Sequence, residues 1–254
     1  MGLEQQISSL VQASENLTGA VNNKIGEIDK EVDDAIDKFQ KSFPAQFERH
    51  TKRSININPL SGIDAPNQTT YRSIKYALQD NSFVQALNVY LQGDVTFDGS
   101  YLVTNRYLSI NLNGHVLKRT SYTAMFNGEY NAFVKIFNGV LCFKLSQPEL
   151  VAPNNGVCPF FYTVDTVMTL LLGDRDGWKG ADYIGGLRIQ SNCSHLISAV
   201  GSHVEYRAHS CRFELIGDNA SCQVIHAASG GSIEQYESYN VVADSGFNWN
   251  YVKA

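Results

Sequence analysis

Two glutamates near the C-terminal end of the sequence are spaced so that they could act together as an acid and a base. The segment HLISAVGSHVEYRAHS, from His195, aligns with QVIHAASGGSIEQYESYN, from Gln223, and this alignment places Glu205 on Glu234. The same alignment places Ile197 on Ile225, Ala199 on Ala227 and Tyr206 on Tyr236. On neighbouring parallel strands the two carboxylates would lie about 4.8 Å apart, and such proximity raises the pKa of one of them. A pair of this kind could act as the acid and the base of glycoside hydrolysis.

An alternative interpretation of Glu205 and Glu234 is structural. Both can face solvent, with Arg207 or a nearby lysine neutralising one of them. The neighbouring sequence lacks the surplus of acidic groups and aromatic platforms that a sugar-cleaving groove displays, so we favour the structural interpretation. No catalytic residue is therefore assigned, and an enzyme would have to use Glu205, Glu234, Asp174 or Asp176.

A second candidate site is the stretch GDRDGWKGADY, from Gly173 to Tyr183. It begins like a calcium loop, but no glutamate follows at the EF-hand distance, which excludes that motif. Carboxylates here could accept hydrogen bonds from sugar hydroxyls while an indole covers the apolar side of the ring. The candidate glycan-binding residues are Asp174, Asp176, Trp178 and Asp182. The alternative, which the residue types favour, is a polar loop whose tryptophan packs on its own domain.

The C-terminal sequence SGFNWNYVKA alternates aromatic residues with small polar ones. Phe247, Trp249 and Tyr251 would share one face of a strand. We expect this face to pack between subunits, because large aromatic patches usually become buried. Contact with a receptor is the alternative, and it makes Trp249 and Tyr251 further candidates for glycan binding.

Cysteines and histidines indicate neither a metal site nor a cofactor. The five cysteines include no C-x-x-C pair, which predicts buried free thiols. The six histidines show no metal-ligand spacing, and no nucleophile elbow occurs. We therefore expect no metal and no cofactor.

An apolar stripe at helical spacing runs through the N-terminal region. Its residues are Leu3, Ile7, Leu10, Leu17, Val21, Ile25, Ile28, Val32, Ile36 and Phe39. The steps follow a heptad up to Val21 and then an eleven-residue repeat, which predicts a coiled coil that relaxes towards a straight bundle. Gly19 and Gly26 each weaken the isolated helix by about 1 kcal/mol, so a partner has to stabilise it. The stripe fits a trimer at least as well as a dimer; packing on the downstream part of the same chain is the alternative.

Changes of pattern divide the chain into three parts. Residues 1–45 predict a coiled-coil trimerisation helix that ends at Phe43, because Pro44 disfavours a helical residue before it. Residues 46–84 are predicted as a connector, and residues 85–254 as a strand-rich body with a C-terminal tip.

Shorter elements follow the first helix. Within residues 71–80, a short helix would place Ile74, Ala77 and Leu78 on one side. From Leu87 the period changes to two, with turn residues between short runs. The alternating apolar residues are Leu87, Val89, Leu91, Val95, Phe97, Leu102, Leu108, Ile110 and Leu112.

Internal repeats indicate how the strands are arranged. Asn113-Gly114 and Asn138-Gly139 are 25 residues apart, and the aligned C-terminal segments are offset by 28 to 30 residues. A drifting period without helices is typical of coils of three short strands, with loops of variable length at the corners. In such a stack Asn113-Gly114 is a corner, and Ile110 lies beside Ile136. A β-sandwich or a meander is the alternative.

Composition excludes several classes of function. The net charge is -5 and the basic residues are scattered, so we expect no nucleic-acid binding. The start MGLEQQ resembles no secretory signal, which predicts synthesis in a cytosol. The most apolar stretch, Val164 to Leu172, is too short for a bilayer, so we expect no membrane insertion.

The N-terminal helix, the connector and the phrases LNVYLQGDVTF and LVTNRYLSINLNGHVL resemble the receptor-binding tail fibres and tailspikes of bacteriophages. The resemblance implies a mainly β homotrimer, with a parallel β-helix-like body behind a coiled-coil stalk. It implies a virion protein of the phage tail, made in the host cytoplasm and assembled with other phage tail proteins. Its expected function is non-catalytic attachment to a capsular or lipopolysaccharide glycan. The alternatives are a tailspike polysaccharide depolymerase, hydrolase or lyase, and a purely structural fibre segment.

Overall fold

The computed structural model describes residues 2–151, 157–174, 186–218, 221–236 and 238–248, with backbone alone for residues 44–46, 48 and 49. Strands account for 43% of the chain and helix for 24%, so the protein is mainly β, with parallel sheets. The chain forms two compact units, Met1–Arg49 and His50–Ala254. In the described part of the chain, none of the helices combines the length and the apolar character that a membrane crossing requires.

The first helix, α1, spans Leu3–Thr51. It continues through Pro44, so the predicted end at Phe43 is wrong. Proline removes only one backbone donor, and the long helix before Pro44 and about two turns after it, to Thr51, hold its direction. Aromatic rings continue the stripe across this point, because Phe43 stacks on Phe39 at 4.9 Å and on Phe47 at 5.8 Å between ring centroids.

The described residues of the other unit form nineteen strands and a second helix. In chain order the strands are β1 Lys52–Ile57, β2 Thr70–Tyr71, β3 Ala86–Leu91, β4 Val95–Thr96, β5 Tyr101–Thr104, β6 Tyr107–Asn111, β7 Val116–Arg119, β8 Phe126–Glu129, β9 Ala132–Phe137, β10 Gly139–Phe143, β11 Phe161–Val164, β12 Val167–Gly173, β13 Leu187–Ser191, β14 His195–Val200, β15 His203–Leu215, β16 Cys222–Ala228, β17 Ser232–Gln235, β18 Tyr239–Ala243 and β19 Phe247–Asn248. Helix α2 spans Ile74–Asp80, and a 3₁₀ turn spans Pro148–Leu150.

The described strands form three rows, and every pairing among them is parallel. The long strand β15 belongs to two of these rows. One row runs β1-β3-β6-β9-β12-β15-β17, with β2 beside β1; the second runs β4-β7-β10-β13-β15-β18, and the third β5-β8-β11-β14-β16-β19. Successive strands of a row are separated by as few as 21 residues (Ala86 to Tyr107) and as many as 48 (Gly139 to Leu187). Loops of variable length between short strands account for this drift, as the repeats predicted.

The Asn-Gly phrases are corners between rows rather than hairpins. β6 pairs with β3 and β9, and not with β7, which follows it directly. Asn113, Gly114 and Asn138 have φ values of 51°, 83° and 61°, which asparagine and glycine adopt more easily than other residues. The Asn138 side chain donates to Asn111 Oδ1 at 3.0 Å, which joins successive corners. The predicted pairing of Ile110 with Ile136 is confirmed.

The register also tests the C-terminal repeat. Ile197 pairs with Ile225, Ala199 with Ala227 and Glu205 with Glu234, as the alignment predicted. Tyr206 pairs with Gln235, so its predicted pairing with Tyr236 is wrong. The alignment allowed an insertion between Glu205 and Tyr206, but the two strands stay in continuous register there. The one extra residue lies at the corner before His203.

The core follows the alternation of the strands. The inward side chains of β3 and β6, including Leu87, Val89 and Ile110, are buried, whereas Leu102 is 48% exposed. Leu102 is one of the alternating apolar residues of the sequence, but its side chain is not part of the core. Its strand, β5, turns Tyr101 and Val103 inward, so Leu102 faces outward. All five cysteines are buried and none forms a disulfide, as predicted.

The segment predicted as a connector contributes to this core. β1 pairs with β3 over six residues, so the row begins at residue 52. The short helix predicted within residues 71–80 is confirmed as α2, with its apolar side buried. Ser73 caps it by accepting a hydrogen bond from the Tyr76 backbone.

Candidate functional site

A column of outward side chains crosses the first row of strands. Residues Tyr107, Phe133, Thr169, Glu205 and Glu234 are successive partners in the parallel register of β6, β9, β12, β15 and β17. They share a face because alternate residues of a strand point to the same side and the strands pair in register. At one end Tyr107 and Phe133 stack with centroids 4.5 Å apart. At the other end the column carries two adjacent carboxylates.

His203 faces both carboxylates. It lies two residues before Glu205, and therefore on the same side of β15. Its Nε2 atom is 3.9 Å from Glu205 Oε1 and 3.7 Å from Glu234 Oε2. The other ring nitrogen, Nδ1, hydrogen-bonds with Ser232 Oγ at 2.8 Å. This hydrogen bond fixes the ring so that Nε2 points to the two glutamates.

Further polar contacts surround the glutamates. Thr169 Oγ1 donates to Glu205 Oε2 at 3.5 Å, and the Tyr236 hydroxyl hydrogen-bonds to Glu205. Desolvation and the negative charges of Glu205 and Glu234 raise the pKa of Tyr236, which keeps the phenol protonated as a donor. The guanidinium carbon of Arg207, expected beside the glutamates, lies 4.7 Å from the centroid of the Tyr236 ring.

An open depression of about 390 Å³ lies beside His203. Its other lining residues belong to the corners before β9, β12 and β15 and include Tyr130 and Asp165. The Tyr130 side chain is 71% exposed, and its φ of 47° is unusual for a tyrosine. Such a conformation is retained only where surrounding structure holds it, and it is more frequent at binding sites. The depression therefore combines an exposed aromatic ring, a carboxylate and an imidazole.

A second depression, of about 700 Å³, lies on another side of the unit. It is lined by the segment around the 3₁₀ turn and by Asn192, Ser194 and Asp218. Glu149 and Asp218 give this depression two carboxylates. Among the described residues, neither carboxylate forms a hydrogen bond or an ion pair. We therefore assign no role to this depression.

The residues predicted for glycan binding are only partly described. Asp174 forms an ion pair with Lys135 at 2.7 Å between Oδ2 and Nζ. It lies five residues beyond Thr169 along the chain, on the order of 15 Å from the two glutamates, so Asp174 does not join their site. Asp176, Trp178, Asp182, Trp249 and Tyr251 lie outside the residues that the structure describes.

The predicted stripe residues all lie on the surface of α1. In the single chain their exposed fractions run from 48% for Val21 and Ile36 to 75% for Leu10. The stripe continues to Phe43 and Phe47, which are 46% and 58% exposed. In the single chain, the side chains of this apolar face are therefore about half exposed or more.

Sequence reasoning missed His203, Ser232 and Tyr130. The i, i+2 spacing of His203 and Glu205 on a strand was a usable signal, because it places both on one face. Ser232 precedes Glu234 by the same interval. No pattern in the sequence identifies Tyr130, because its exposure depends on the shape of a corner.

Comparison of the chain with known protein families, characterised proteins and solved structures finds no match.

Proposed function

We propose that this protein is a homotrimeric bacteriophage tail fibre that attaches the virion to a glycan on the bacterial surface, without catalysis. The observation that carries the proposal is the exposed apolar stripe of α1, which extends from Leu3 to Phe47. Isolated helices of this kind are marginal in water, and copies of the same helix provide a matching apolar face. Isoleucine and valine in its second half favour three strands at least as well as two.

We propose a parallel β-helix for the body. Its support is that each strand from β3 to β12 pairs in parallel with the strand three places later in the chain. The long strand β15 serves two rows at the fifth level, and β17, β18 and β19 complete the sixth. Short strands joined by tight corners give each level few local contacts, so stacking on neighbouring levels provides the stability. A body of this kind, repeated three times, is the architecture that the resemblance to tail fibres implies.

The depression at His203 is the proposed glycan site. Tyr130 offers an aromatic face for the apolar side of a sugar ring, and Asp165 offers a carboxylate for its hydroxyl groups. One such shallow site binds weakly. Three sites in one trimer increase the effective affinity through avidity, which gives trimerisation a functional reason.

Cell binding tests this proposal. Fluorescently labelled protein is added to a panel of capsulated bacteria and of strains that expose lipopolysaccharide, and binding is measured by flow cytometry. We expect saturable binding to at least one strain and competition by its purified glycan. In that strain Tyr130→Ala should weaken binding about tenfold or more, because loss of one aromatic contact costs about 1 kcal/mol per site and the trimer multiplies the loss.

Tyr122→Ala is the matched control, since Tyr122 is an exposed corner tyrosine outside the depression. Equal loss of binding in both variants would contradict the assignment of the site. Absence of binding to every strain would contradict attachment and favour a structural fibre segment.

A depolymerase remains the second candidate, and one observation favours it: Glu205 and Glu234 are direct neighbours on parallel strands. That separation suits a retaining pair of carboxylates. A halo assay on the strain that binds the protein distinguishes the two functions. Clearing by the unchanged chain that is lost in both Glu205→Gln and Glu234→Gln would establish the enzyme and overturn the non-catalytic proposal.

A further inference from the structure

We propose that His203, Glu205 and Glu234 together bind one divalent transition metal ion, with Zn²⁺ the best match. One atom of each side chain, Nε2 or a carboxylate oxygen, lies within 4.8 Å of the other two. This site shares His203 with the depression proposed to bind glycan, but Zn²⁺ binding tests it separately from attachment. It had no counterpart in the sequence prediction, which expected no metal.

The distances fit an ion better than direct hydrogen bonds. His203 Nε2 is 3.9 Å and 3.7 Å from the two carboxylate oxygens, beyond hydrogen-bond length. Around a tetrahedral zinc with bonds of about 2.0 to 2.2 Å, ligand atoms lie roughly 3.3 to 3.6 Å apart. The two His203 distances exceed this spacing by only a few tenths of an ångström, and the two carboxylate oxygens lie within 4.8 Å of each other.

The imidazole is what separates this cluster from ordinary surface carboxylates. Histidine ligands of metals commonly use their second nitrogen in a hydrogen bond that fixes the ring. Here Nδ1 meets Ser232 Oγ at 2.8 Å, which leaves Nε2 facing the glutamates. Glu205 is fixed in the same way, because its Oε2 accepts from Thr169 while Oε1 faces His203.

The donor set also selects the class of metal. A nitrogen and two carboxylate oxygens suit zinc and neighbouring transition metals, whereas calcium and magnesium prefer oxygen ligands alone. Three protein ligands leave at least one coordination position for water or a ligand group. That position is accessible, because the Glu234 side chain is 55% exposed and His203 lines the open depression.

Isothermal titration calorimetry tests the site. The full, untagged chain is treated with EDTA, dialysed and titrated with Zn²⁺. We expect one ion per chain, with much weaker binding of Ca²⁺ and Mg²⁺. The buried cysteines are not accessible to added metal.

Each ligand variant, His203→Ala, Glu205→Gln and Glu234→Gln, should weaken Zn²⁺ binding by about 100-fold, and Ser232→Ala by about tenfold. All four side chains lie at the surface, and circular dichroism checks that the variants remain folded. His115→Ala is the matched control, because His115 lies 3.6 Å from a single carboxylate, that of Asp94. Its binding should be unchanged.

The proposal is overturned by any of three results. These are no saturable Zn²⁺ binding to the unchanged chain, binding that persists in the His203→Ala and Glu234→Gln variants, or equal affinity for Ca²⁺. Cell attachment is measured separately, so failure of the metal site leaves the attachment experiment unaffected.

Discussion

The apolar residues of helix α1 are exposed, whereas those of the strand-rich unit are mostly buried. In the strands, alternate apolar side chains are buried by other strands of the same chain, and many are completely inaccessible. In α1, apolar side chains are equally regular but remain about half exposed or more. The contrast is that the strand-rich unit buries its own hydrophobic pattern, whereas α1 leaves its pattern exposed in the single chain, as the proposed trimer requires.

That difference predicts that association and folding can be broken separately. A substitution in the stripe should lower the mass of the assembly and leave the strands folded. A substitution in the strand core should destabilise that unit and leave the assembly intact.

Ile28→Asp should have the largest effect. A buried isoleucine contributes about 1.5–3 kcal/mol, and a trimer buries three copies, so the loss should be roughly 5–9 kcal/mol per trimer, before the repulsion among three carboxylates. Light scattering should show a monomer at micromolar concentration, with the β signal in circular dichroism retained. Asn23→Asp places the same carboxylate on the polar face and should leave the mass unchanged; dissociation in this control would show that charge, and not the stripe, is responsible.

Phe126→Ala should have the next largest effect, in the other unit. Phe126 is fully buried and lies 5.8 to 6.1 Å, between ring centroids, from Phe97, Phe160 and Phe161. The cavity should lower the free energy of unfolding by about 3–5 kcal/mol. Denaturant titration measures the change, and the mass should not alter. Leu102→Ala, in the strand paired with that of Phe126, should cost less than about 0.5 kcal/mol, since Leu102 faces solvent.

Acid should destabilise the strand-rich unit without a matching effect on the stripe of α1. The stripe contains no titratable side chain, whereas the core of the strand-rich unit contains His195. Burial, and then the neighbouring His226, lower the pKa of His195 from 6.5 to about 4. The unfolded chain therefore takes up a proton at a higher pH than the folded chain. The free energy of unfolding should fall by about 3 kcal/mol as the pH drops from 6.5 towards 4.

Denaturant titrations of the strand unit at several pH values, compared with those of His195→Gln, measure this contribution. The variant should lose most of the pH dependence in that interval. An unchanged pH dependence would assign the acid sensitivity to other groups.

Much of the fold could be predicted because its signals are local. The stripe of α1 and the apolar side of α2 follow from helical periodicity, and the corners at Asn113 and Asn138 follow from residues that tolerate positive φ. The C-terminal repeat even predicted the pairing of Glu205 with Glu234. The helix and corner signals are local, and the repeat needs only the comparison of two segments of the sequence.

Other wrong predictions concern residues whose environment is determined by distant parts of the chain. The composition of the connector concealed β1, whose partner strand begins 34 residues later. Leu102 fits the alternating pattern of the sequence but lies on the outer face of β5. Only the packing of β5 decides which of its faces is inside. At the site, Glu205 and Glu234 were foreseen, and the i, i+2 spacing places His203 on the same face of β15. The hydrogen bond of His203 Nδ1 with Ser232, which orients the ring, depends on the neighbouring strand.

The mass of the intact chain in solution tests the central claim most directly. Size-exclusion chromatography with multi-angle light scattering, at micromolar concentration, should give three times the chain mass of 28.2 kDa. A monomer would show that the exposed stripe is not an interface, and a dimer would contradict the trimeric fibre.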